Sequence, residues 1–167
     1  MDAAGVHHLA RNLRRGAHRD RPARTRLPGT ALMAALPDYQ GDVAFTYEPH
    51  PDGLADPGEI VWTWVPYEDD PNQGKDRPVL VIAHLGQLLL GLMLTSKDHD
   101  RDAADEARYG RHWLDIGAGD WDPKRRPSEI RLDRVLTLDP AVVRREGAAL
   151  DQARFDEVEA AFRELDR

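Results

Sequence analysis

The stretch "QGKDRPVLVIAHL", Gln73 to Leu85, decides the fold. A polar, glycine-containing loop ends at an Arg-Pro pair, and a run that is apolar on both faces begins at once. Val, Leu and Ile without alternation are the pattern of a central strand. Pro78 fixes its own φ, lacks an N–H and biases Arg77 toward extended backbone. The Arg77 guanidinium is thereby expected at the rim of the sheet, outside the core. "HLGQ" turns the chain, and "LLLGLMLTS" (Leu88 to Ser96) returns as the second arm of a hairpin. Upstream, "GEIVWTWVPY" (Gly58 to Tyr67) is rich in β-branched and aromatic residues and reads as the first strand.

Working outward, "HWLDI" (His112 to Ile116) reads as a fourth strand. "SEIRLDRVLTLD" (Ser128 to Asp139) reads as a fifth that bends near Asp133-Arg134. The period then changes. Asp139-Pro140 looks like an N-cap with proline at the first helical position, opening a short helix, "PAVVRRE", that stops at Gly147. Asp151 caps a last helix whose Phe155, Val158, Phe162 and Leu165 share one face. The expected fold is mainly β (α+β): a small barrel of about five curled antiparallel strands with a C-terminal helix packed across it.

The chain has 167 residues, enough for one domain plus tails. It lacks cysteine, which excludes disulfides and thiolate metal sites. Its longest apolar stretch, Val79 to Leu94, is interrupted by His84, Gly86, Gln87 and Gly91, too broken for the ~20 residues of a membrane span. No membrane association is expected, and a cytoplasmic location is. The net charge of −7 is uneven. Residues 1–32 hold seven arginines and two acids, so they carry +5 and the remainder −12. An acidic body argues against broad electrostatic capture of nucleic acid, though not against a local cationic cleft. The basic segment 1–32 reads as a disordered tail; as a nucleic-acid arm; or as sequence upstream of a native start at Met33. N-terminal mass spectrometry separates the last from the others. Residues 33–56, rich in Pro, Asp and Gly, read as a lead-in, with "VAFTYEP" (Val43 to Pro49) as a short strand. The barrel domain is expected over residues 57–167.

Familiar sites are missing from the sequence. No phosphate-binding glycine loop, HExxH motif or nucleophile elbow is present. Asp98, His99 and Asp100 in "KDHDRD" are adjacent, but neighbours on an extended loop splay apart, so no metal is expected. The remaining candidate is geometric. Antiparallel pairing brings the start of one strand beside the end of the next. With the turn near Leu85-Gly86, Thr95 falls beside residue 76 or 77. Arg77 and Thr95 should then meet at one rim, under two loops that carry Lys75 and Lys97. A fixed guanidinium beside a hydroxyl suits a phosphodiester. An exposed arginine at a strand edge and a threonine of ordinary β-propensity explain the same pattern.

The segments "PGEIVWTWVPY", "NQGKDRPVLVIA", "GLMLTS" and "RPSEIRLDRVLTLD" resemble, in order and spacing, the PemK/MazF family of toxin–antitoxin ribonucleases. The resemblance covers about residues 57–165. It rests on the opening Gly58-Glu59-Ile60-Val61-Trp62, on Arg77 to Ile82, on Thr95-Ser96 and on Arg134 to Asp139. It implies an SH3-like barrel of the PemK/MazF/CcdB kind, a homodimer, a cognate antitoxin and cofactor-free, metal-independent cleavage of single-stranded RNA. In that chemistry the ribose 2′-hydroxyl attacks the adjacent phosphate. Carried over, Arg77 binds the phosphate and Thr95 hydrogen-bonds the developing charge. Gln73 and Lys75 sit where the family's loop meets substrate, and Ser96 and Lys97 follow the catalytic threonine as further substrate-binding candidates. An arginine with a pKa above ~12 is a poor free base, so an electrostatic role is expected for Arg77. The loop "YEDDPNQG" departs from the family pattern: Glu68, Asp69 and Asp70 would repel phosphate unless they face away or engage a partner. Two alternatives stand beside the ribonuclease: a non-catalytic nucleic-acid- or protein-binding module of the same barrel, and a gyrase-poison-like toxin.

Overall fold

The computed structural model describes residues 36–96, 106, 108, 110–143 and 145–165. Residues 1–35 and Lys97 to Asp105 lie outside the described residues, and with them the readings of the basic tail, of the start at Met33, of Lys97 and of the Asp98-His99-Asp100 cluster. The described chain is a curled antiparallel half-barrel with one C-terminal helix.

Its strands are β1 (Glu59–Pro66), β2 (Gly74–Leu85), β3 (Leu88–Thr95), β4 (Trp113–Gly117), β5 (Ser128–Arg131), β6 (Leu136–Leu138) and β7 (Arg145–Ala149), followed by α1 (Gln152–Glu164). The order across the sheet is β4-β5-β3-β2-β1-β7, and β6 also pairs with β3. The interruption expected near Asp133-Arg134 is present. It splits one segment into β5 and β6, and both lie along the edge of β3 that β2 leaves free.

Two expectations are corrected. "PAVVRRE" is not a helix: only Pro140–Val142 forms a 3-10 turn, capped by the Asp139 side chain, and the chain then extends as β7 beside β1. Pairing with the free edge of β1 overrides the helical preference of the Arg-Arg-Glu run. "VAFTYEP" forms no named strand; it is tied to β2 by a single backbone bond, Thr46 N–H to the Ile82 carbonyl at 2.9 Å. Its side chains still pack. Val43 is buried, and Phe45 meets Phe155 and Phe162 edge-on at centroid distances of 6.0 and 5.1 Å.

The sheet has two apolar faces. On one, Ile60, Leu80, Ile82, Leu92 and Leu94 pack against Phe155, Val158 and Phe162 of α1. Asp151 starts this helix by accepting the Arg154 N–H at 3.1 Å. Leu165 closes the same face, partly buried. On the other face Val61, Val65, Val79, Val81, Met93, Leu136 and Leu138 form a second, smaller core.

The central hairpin carries a bulge. Its tip pairs Leu85 with Leu88, around Gly86 at φ +60°. Further down, Val81 pairs with Gly91 and Ala83 with Leu90, so Ile82 is an extra residue. Ile82 and Ala83 consequently both face the helix side. From Val81 back toward the start of the strand, odd-numbered residues of β2 face the second core, as Val79 and Val81 do.

Candidate functional site

The bulge selects the rim pair. Carried down from the tip unchanged, the register would set Thr95 opposite Pro78. Below the bulge, Val79 pairs with Met93, where the β2–β3 ladder ends; the same register continued two steps would bring Arg77 opposite Thr95. Both side chains share a face with Val79 and Met93, that of the second core. On the far side of Arg77, β1 contributes Thr63; on the far side of Thr95, β5 contributes Glu129, and β4 then contributes Asp115. Polar residues therefore pair on this face in two sets, Thr63 with Arg77 and Thr95 with Glu129 and Asp115, which the β2–β3 register continued past Met93 would join into one row. Cross-strand neighbours of this kind have Cβ atoms ~4.5–5.5 Å apart.

Arg77 is half-buried. Among the described residues it makes no hydrogen bond and no ion pair. Burial lowers its pKa, the nearby charge of Arg134 lowers it further, and Tyr67 opposes the shift. The group stays charged, because an arginine titrates far above neutrality. A desolvated cation beside a second cation gains most from an incoming anion. Asp76 does not fill that role from the ladder, since it pairs with Trp64 and alternates to the other face.

Of the other expected substrate-binding residues, Lys75 pairs with Val65 and shares the face of Arg77, with its side chain exposed. Gln73 is exposed at the end of the β1–β2 loop, where its carbonyl accepts the Tyr67 N–H at 2.8 Å. Ser96 is exposed just past Thr95.

Two further arginines on this rim escape a reading from sequence. Arg134, nearly buried, pairs with Asp38 at 2.8 Å and donates to the Pro66 carbonyl at 2.9 Å. Arg131 pairs with Asp133 at 2.7 Å and with Glu68 at 3.0 Å. Burial lowers the Arg131 pKa, but these two carboxylates outweigh it and the net shift is upward. The acidic loop therefore engages a partner, as one of its members must if phosphate is to approach. The sequence signal was the alternation of charged Glu129, Arg131 and Asp133 with Ile130 and Leu132. It resembles an ordinary solvated face, yet all four residues of β5 are buried.

Beside the row lies an apolar groove of about 420 Å³, floored by Thr63, Val65, Leu136 and Leu138 and walled by Trp64 and Asp38. Among the described residues no three His, Asp or Glu side chains group as metal ligands would. Nor is any helix among them long and apolar enough to cross a membrane.

A small curled barrel with a cationic, hydroxyl-bearing rim is the class this geometry defines. The chain belongs to the family described as PemK-like, MazF-like toxin of type II toxin-antitoxin system, which it matches over residues 56–165. It is also similar to a chain in the MazE-MazF crystal structure (Form-II) from Deinococcus radiodurans. That similarity is 18% identity with a TM-score of 0.46, over 66% of this chain and 94% of that one. No curated protein matches it.

Proposed function

We propose that this chain is a toxin-type endoribonuclease that cleaves single-stranded RNA without a metal, by attack of a ribose 2′-hydroxyl on the adjacent phosphate. The observation that carries this reading is Arg77: a half-buried guanidinium with no anionic partner among the described residues, on a β2 register that, continued past Val79–Met93, leads to Thr95. The scissile phosphate sits between them. Arg77 neutralises charge as it builds on the phosphorane, and Thr95 donates a hydrogen bond to a non-bridging oxygen. The 2′-hydroxyl proton needs an acceptor, and Arg77 cannot be one at neutral pH. Glu129, directly across from Thr95, is the carboxylate we assign to take it; the P–O5′ bond then breaks, leaving a 2′,3′-cyclic phosphate, and the departing 5′-oxygen takes a proton from the protonated carboxyl or from water. Lys75, Gln73, Ser96 and Lys97 hold the flanking nucleotides. Family membership supports a cognate antitoxin that competes for this rim, and a homodimer.

The test is incubation of purified protein with single-stranded RNA in EDTA. Cleavage is expected, and Arg77→Ala abolishes it while the protein stays folded. Intact RNA with saturable binding would instead support a non-catalytic module. Loss of plasmid relaxation by gyrase, with RNA intact, would support the topoisomerase poison.

A further inference from the structure

Arg131 holds two carboxylates of unequal kind. Asp133 is part of its own strand end: it accepts from Arg131 Nε at 3.0 Å and Nη2 at 2.7 Å, and also from the His112 N–H at 2.7 Å. Its side chain is 16% exposed. Glu68 comes from the β1–β2 loop, 63 residues away in sequence, and meets only Nη2, with one oxygen at 3.0 Å and the other at 3.2 Å. Its side chain is 55% exposed, against 6% for Arg131. Most of the Glu68 carboxylate is thus already in water, and an ion pair of this exposure contributes little, ~0–1 kcal/mol. Asp133 is a fixture of the cation; Glu68 is an exchangeable anion on it.

The place of this exchange matters. Arg131 lies two residues from Glu129 on β5, and Glu129 pairs with Thr95. Arg131 therefore shares the face of the polar row and stands one diagonal step from Thr95, with Cβ atoms ~7–8 Å apart. Its Nη1 has no hydrogen bond to any described residue. We propose that Arg131 is a second phosphate subsite for the RNA strand whose scissile phosphate lies at Arg77 and Thr95, and that Glu68 fills it as a stand-in anion while RNA is absent. A phosphate oxygen takes the position of the Glu68 carboxylate, accepts from Nη2 and Nη1, and releases the β1–β2 loop. This inference rests on the nucleic-acid reading of the rim.

The test measures binding alone, using a fluorescent 2′-O-methyl oligoribonucleotide that cannot be cleaved. Glu68→Gln is expected to tighten binding several-fold at low salt. Asp69→Asn, the same charge change on the same loop, should do clearly less. Arg131→Lys keeps the charge but loses the fork, and thermal unfolding verifies that it folds. It should weaken binding and cancel most of the gain from Glu68→Gln when the two are combined. Equal effects of Glu68→Gln and Asp69→Asn overturn the proposal, as does wild-type affinity in folded Arg131→Lys. Tighter capture of poly-glutamate rather than the oligonucleotide by Glu68→Gln also overturns it, in favour of an acidic protein ligand. Binding that depends on Arg77 but ignores Glu68 and Arg131 removes the subsite and spares the proposed function. No saturable binding by wild type removes both.

Discussion

Arg77 and Arg134 are neighbouring cations on one rim, and replacing each by alanine should have opposite consequences. Arg134 is an ion-pair partner of Asp38 and a donor to the Pro66 carbonyl, with its side chain 6% exposed. Removing it strands a carboxylate that is 27% exposed and an acceptor at the end of β1. Breaking a fully buried pair costs ~3–5 kcal/mol; the partial exposure of Asp38 reduces that to roughly 2–4 kcal/mol. For a domain of this size each kcal/mol lowers Tm by ~2–4 °C, so Arg134→Ala should fall by roughly 4–16 °C. Arg77 has no such partner among the described residues, and burial and Arg134 both disfavour its charge. Its loss trades some packing of its methylene stem against relief of a desolvated cation, and stability should stay within ~0.5 kcal/mol of wild type. Activity should behave the other way: losing a donor aimed at developing negative charge costs ~10²–10³ in rate. Thermal unfolding and RNA cleavage on the same two preparations decide it. If Arg77→Ala melts as far below wild type as Arg134→Ala, Arg77 is a structural residue and the assigned site is wrong.

Other outcomes follow from the same geometry. Glu129→Gln should lower the cleavage rate ~10²-fold or more, with little change in oligonucleotide affinity; an unaltered rate removes Glu129 from the proton transfer. Gly91→Ala places a Cβ against Val79 Cγ1 and the Leu80 carbonyl in the middle of the hairpin, and urea unfolding should show a loss of ~1–3 kcal/mol. Asp122 has its pKa raised by burial, but Arg126 and the Lys124 N–H more than offset this and hold it below the usual carboxylate range. A depressed carboxylate stabilises above its unfolded pKa of ~3.9 and loses that contribution as pH falls through the folded value. Asp122→Asn should therefore narrow the stability gap between pH 7 and pH 3, as measured by urea midpoints. Phe155→Ala removes a ring that is 2% exposed, and with it the contacts to Phe45 and Tyr47, at a cost of ~3–5 kcal/mol in the same assay.

The parts of the fold visible in the sequence are those where local pattern and tertiary role agree. The unalternating run after Pro78 is central because it is apolar on both sides, and Phe155, Val158 and Phe162 lie inward because helical spacing puts them on one stripe. β7 was hidden because Arg-Arg-Glu-Gly-Ala-Ala has no strand preference of its own; only the open edge of β1 makes it one. The strand register that frames the candidate site could be read from the sequence only to within one residue. Pairing from the turn brings Thr95 near the Arg-Pro threshold, but the choice among neighbouring positions depends on a bulge within "VLVIAHL", where no glycine or polar residue marks it. Arg131 and Glu68 could not be joined at all, since nothing local couples residues that far apart.

The inward pair Ile82 and Ala83 has a consequence for how such a barrel can change. A strand has parity, and two consecutive residues on one face invert it. In β2 the inversion separates the tip of the hairpin from its rim, so the two ends obey opposite odd–even rules. The tip can therefore vary in sequence without disturbing the rim, provided the inversion is kept. If the inversion is lost with no matching change in length, the proline, rather than the guanidinium, comes opposite Thr95, though no charged residue has been altered. Whether this barrel carries an anion site is in that sense set by counting along an apolar strand, and a substitution scan confined to polar residues would never find the residue that sets it.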